Sequence, residues 1–108
     1  MPLTRAFKET VQARAQADEA FRAALLSEAV EALLEGDVET GKSVLRDYIN
    51  ATIGFENLAQ DVGKQPKNLM QMFSAKGNPT AANLFAIISH LQKATGVHLS
   101  VHADGEAA

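Results

Sequence analysis

Glycines at positions 36, 54, 63 and 96 each follow a stretch whose apolar residues recur at helical spacing, and this punctuation constrains the fold more than any other feature. Helices of the length left between such stops are marginal on their own. The chain must therefore bury their apolar faces against one another. Residues 4–17 carry a narrow stripe, Leu3, Phe7 and Val11, expected of a helix that leans on something larger. Asp18 stands where an N-cap belongs, with Glu19 in the first turn, ahead of a broad face of Phe21, Leu25, Leu26, Ala29, Val30, Leu33 and Leu34. Asp37 opens a third helix facing inward through Val38, Gly41, Val44, Leu45, Tyr48, Ile49 and Thr52.

Two short helices follow, residues 55–62 and a second one from Pro66, which suits a first helical turn because its missing N–H has no partner there. A loop at residues 75–79 separates them from a longer helix capped by Thr80, with Leu84, Phe85, Ile87, Ile88 and Leu91. After Gly96 the period changes to two. Val97, Leu99 and Val101 alternate with His98, Ser100 and His102, as in one half-buried strand. No second strand is legible, so this one is expected to pair with its copy in a homodimer or with another protein. The expected class is all-α, with extra N-terminal helices and one C-terminal β-strand. The expected organisation is a helical extension over residues 1–36, a core unit over 37–102 and a disordered tail over 103–108.

Composition narrows the chemistry. At 108 residues, 46% of them hydrophobic, the chain is sized for one domain. The absence of cysteine excludes thiolate nucleophiles, disulfides and cysteine-ligated metals. No apolar run approaches the ~20 residues of a membrane span, and residues 1–5 lack the apolar stretch of a signal peptide. A cytoplasmic protein without membrane contact is expected.

Charge is divided along the chain. Residues 1–61 hold six Lys/Arg against eleven Asp/Glu, whereas residues 62–103 hold four lysines, at 64, 67, 76 and 93, and no acid. Such a division suggests two surfaces with different partners.

The basic half contains the informative spacing. Counting Phe55 as position one, Ala59 falls at position five and Gly63 at nine, with Leu58, Val62, Leu69 and Met72 at four, eight, fifteen and eighteen. Ala59 must be small where a second helix crosses it. Gly63 takes a turn conformation that a Cβ disfavours. The four apolar residues knit the two helices to the bundle, leaving Lys67, Asn68, Met70 and Gln71 facing outward on the second helix.

This spacing resembles the helix-turn-helix of the phage-repressor-like (Cro/repressor) superfamily. More narrowly, Gly63, Leu69, Gly77-Asn78-Pro79-Thr80 and Leu84, followed by Gly96-Val97, Leu99 and Val101, resemble the addiction-module antidote proteins, the HigA-like antitoxins. Leu33-Leu34-Glu35-Gly36-Asp37 and Leu45-Arg46-Asp47 share that look, and the resemblance covers roughly residues 20–102. It implies a homodimer that binds a palindromic double-stranded operator, usually its own promoter, and often a small basic toxin encoded beside it. Carried over by position, the base-reading candidates are Gln65, Pro66, Lys67, Met70 and Gln71. Lys67 would donate to guanine, Gln71 would bracket adenine, and Met70 would offer apolar contact. Phosphate contacts are expected from Lys64, Lys76 and the start of the helix at Thr80, while Asn78 either reaches the backbone or only shapes its loop. Pro66 and Phe55 depart from the superfamily, which often places a polar reader and a phosphate-binding Gln there.

Other signals carry less. His98 and His102 on a strand lie roughly 13 Å apart, too far for one ion. The serines lack a nucleophile-elbow context and no Gly-rich loop cradles a phosphate, so neither catalysis nor a cofactor is expected. The acids Glu28, Glu31, Glu35, Asp37 and Glu39 allow a second reading, a protein inhibitor that covers a basic toxin.

Overall fold

A computed structural model describes residues 5–105. It holds six helices: α1 (Arg5–Ala17), α2 (Glu19–Leu34), α3 (Val38–Ala51), α4 (Phe55–Val62), α5 (Pro66–Met72) and α6 (Ala81–Thr95). The all-α class is as expected. Leu3 and the tail beyond Gly105 lie outside the described residues.

Local chemistry sets the helix ends. Asp18 Oδ1 accepts from Phe21 N at 3.2 Å, Asp37 Oδ1 from Thr40 N at 3.2 Å, and Thr80 Oγ1 from Asn83 N at 3.1 Å. The bond from Phe21 N holds the Asp18 carboxyl below the usual carboxylate range, and the bonds from Thr40 do the same for Asp37.

The α2–α3 hairpin forms one wall of the core. Gly41 faces Leu33, and an added Cβ there would lie 2.6 Å from Leu33 Cγ. Leu26 and Ala29 of α2 share a single core with Leu45, Tyr48 and Ile49 of α3, Leu58 of α4, Leu69 of α5, and Ile87 and Leu91 of α6. Ala15 of α1 is fully buried, one further step along the four-residue stripe of Phe7 and Val11.

Five large apolar residues expected on inward faces are exposed instead: Phe7 (52%), Leu34 (66%), Val38 (44%), Phe85 (58%) and Val101 (81%). On α6 the buried stripe is Leu84, Ile87, Ile88 and Leu91. Phe85 sits about 100° around the helix from Leu84, off that stripe. Leu34 and Val38 flank the α2–α3 turn, beyond the point where the two helices cover each other.

The C-terminal strand requires correction. Residues 97–104 have no strand pairing, and no strand occurs among the described residues. The alternation survives only at its start: Val97 is buried and Leu99 packs on the core while His98 and Ser100 face outward, but Val101 is exposed. The segment has no ladder partner, and Leu99 N donates instead to Gln92 Oε1 at 2.8 Å. Packing, not pairing, holds the segment.

Candidate nucleic-acid interface

The helices α4 and α5 pack against each other across a turn of residues 63–65. Gly63 adopts φ 71°, the left-handed conformation that its spacing predicted. Lys64 N donates to Ala59 O at 2.9 Å and Gly63 N to Gln60 O at 3.4 Å, the paired bonds that close a helix on a C-terminal glycine. Ala59, Leu58 and Leu69 are fully buried between the two helices and the core, and Val62 and Met72 are partly buried against it. Pro66 occupies the first turn of α5 and is half-buried. Gln65 is the N-cap residue, with extended backbone and no side-chain cap bond, so its amide is free.

The remaining face of α5 meets solvent. Lys67, Asn68, Met70 and Gln71 are exposed, Met70 at 49% although apolar. Positions 67, 70 and 71 lie on one side of a helix by the i, i+3, i+4 rule. The base-reading candidates Lys67, Met70 and Gln71 thus share one exposed face, while Gln65 and Pro66 lie at its start.

The loop after α5 turns back on that helix. Ser74 N and Ser74 Oγ both donate to Gln71 O, at 3.1 and 2.7 Å, and Gly77 N donates to Ser74 O at 3.0 Å. Gly77 is pressed so close that a Cβ there would collide with the carbonyl oxygens of Gln71 and Met72. Phe73 is buried, its ring 6.1 Å from that of Phe55 and tilted 56°. Around this anchor Lys64, Lys76, Asn78 and Thr80 are all exposed. Thr80 Oγ1 already serves as the α6 cap acceptor and keeps only its O–H to give.

One residue that sequence reasoning passed over stands at the base of this loop. Lys42 of α3 is 2% exposed, and its Nζ donates to Gly77 O at 2.6 Å, Ser74 O at 3.0 Å and Glu39 Oε2 at 3.1 Å. The signal was present. Lys42 lies between Val38 and Leu45 on the i, i+4, i+7 line of the apolar face of α3, where a solvated lysine has no place.

The histidines are dispersed. His90 Nε2 of α6 lies 3.0 Å from Asp61 Oδ2 of α4, linking those helices, and His102 Nε2 lies 3.0 Å from Ser100 Oγ. Among the described residues no three His, Asp or Glu side chains gather as metal ligands, and no helix is long and apolar enough to cross a membrane.

No family model matches this chain, and no curated protein or solved structure matches it significantly.

Proposed function

We propose that this chain is a sequence-specific DNA-binding transcriptional regulator of the helix-turn-helix type, an antitoxin-type autorepressor that acts as a cytoplasmic homodimer on a palindromic operator. One observation carries the reading. The exposed face of α5 presents Lys67, Met70 and Gln71 within a stretch, residues 62–103, that holds four lysines and no acid. A helix that enters the major groove needs donors able to meet base edges and must not repel phosphate. Lys67 donates to guanine O6 or N7, Gln71 brackets adenine N6 and N7, and Met70 meets a thymine methyl. Lys64, Lys76, Asn78 and Thr80 fix register through phosphates on either side of α5. The exposed Phe85 on α6 supplies an apolar contact for the second protomer. A solitary repressor without a toxin would use the same interface.

A second reading is favoured by a separate observation. Leu34 and Val38 are exposed, and Glu31, Glu35, Asp37 and Glu39 are exposed beside them in sequence. An apolar centre with an acidic rim suits a basic protein partner, so neutralisation of a toxin would act from this corner.

Fluorescence anisotropy separates the readings. Wild type and the Lys67→Ala, Gln71→Ala variant are titrated onto labelled duplex from upstream of the gene, at two salt concentrations, against a scrambled duplex. Sequence-dependent, salt-weakened binding that the variant loses establishes the regulator. Absence of binding to any duplex reduces the α4–α5 pair to packing and leaves the inhibitor reading, which charge reversal at Glu31 and Glu35 then tests.

A further inference from the structure

A buried lysine controls the loop beside the proposed reading helix. An ammonium group has three protons and desolvating it is costly unless all are used. Lys42 uses all three, on Ser74 O, Gly77 O and Glu39 Oε2. Two of these acceptors are backbone carbonyls of the loop that follows α5, more than thirty residues away in the chain. Ser74 O and Gly77 O, three residues apart, both accept from this one ammonium. A methionine would fill a similar volume and supply no donor.

Lys76 and Asn78 flank Gly77, which is held from one side by Lys42 and pressed on the other against the carbonyls of Gln71 and Met72. A shift of the loop against α5 must therefore break the bonds to Lys42. We propose that Lys42 is a positioning residue of the DNA interface: by clamping Ser74 and Gly77 it sets where Lys76 meets phosphate relative to the reading face of α5. This rests on the DNA-binding reading above. Lys42 itself touches no DNA.

The test compares the full-length wild type with Lys42→Met, Lys76→Ala and the double variant. One readout is amide hydrogen exchange in the free protein. The other is affinity and its salt dependence on a duplex that the wild type selects from a random-sequence pool. Lys42→Met is expected to retain helical circular dichroism and slow exchange at Leu58 and Leu69 while Gly77 N–H loses its protection. Its affinity falls about tenfold, and the slope of log K against log salt falls by about one per protomer, as for a lost phosphate contact. The double variant binds no more weakly than Lys42→Met alone, because Lys76 has already lost its place.

A wild-type affinity and salt slope in Lys42→Met overturns the proposal, as does a double variant whose loss is the product of the single losses. Unchanged Gly77 exchange removes the clamp while leaving DNA binding intact. A wild type that selects no duplex removes both readings, which distinguishes that failure from the others. Where Lys42→Met does not fold, Lys42→Gln, with two protons to give in place of three, is expected to lose part of the slope and of the Gly77 protection, and wild-type values of both overturn the proposal.

Discussion

Tyr48 Oη lies 2.6 Å from Thr95 Oγ1, joining the last turn of α3 to the last turn of α6. Thr95 gives its own proton to Leu91 O at 2.7 Å, so the Tyr48 hydroxyl is the donor in the pair. Tyr48 is fully buried, and this bond is what permits its hydroxyl to be there. Tyr48→Phe keeps the ring and removes the bond. It is expected to destabilise the fold by about 1 kcal/mol, read from urea unfolding at unchanged m-value.

The same pair gives a pH dependence. Burial pushes the Tyr48 hydroxyl above its ordinary value of 10.0. Because the folded form holds the proton more tightly than the unfolded chain, this contribution is complete below pH 10 and is lost as pH rises toward the folded value. Unfolding free energy of the wild type should fall in that alkaline range by more than that of Tyr48→Phe. Equal alkaline losses in the two proteins would assign the effect elsewhere.

Gly63 and Gly77 separate two reasons for a glycine near the proposed interface. Gly63 has φ 71° with open space around its Cα, so Gly63→Ala costs only backbone strain, about 1 kcal/mol. A Cβ on Gly77 meets backbone oxygen atoms that no rotamer change relieves. Gly77→Ala is expected to cost more, about 1–3 kcal/mol, and to displace the loop that carries Lys76. Thermal unfolding ranks the two variants. A Gly77→Ala protein as stable as wild type would mean that the loop is not pressed against α5.

Phe85 tests the proposed dimer. It is 58% exposed on the outward face of α6, between the exposed residues Ala81, Ala82, Ala86 and Ser89. Phe85→Glu removes no core contact and should leave monomer stability within about 0.5 kcal/mol. Sedimentation should show it as a monomer at concentrations where wild type is a dimer, with weaker operator binding. A wild-type sedimentation profile for Phe85→Glu would exclude α6 from the interface.

The sequence by itself determined what depends on a few neighbouring residues. Asp18, Asp37 and Thr80 cap helices because each side-chain oxygen reaches an amide three residues on. Gly63 ends α4, and Pro66 begins α5, for equally local reasons. The alternation at Val97 and Leu99 was legible too, since it reflects only which side faces the core. Tertiary structure alone decided the rest. A strand requires a second backbone at hydrogen-bonding distance, and without one residues 97–104 remain unpaired. Leu34 follows the helical period of α2 as its buried neighbours do, and only the placement of other helices left it uncovered. Lys42 stands out in sequence only as a charge on the apolar face of α3, and its partners appear only when α3 is set beside the loop at Ser74 and Gly77. There the carbonyls of a distant segment make the interior hospitable to its ammonium.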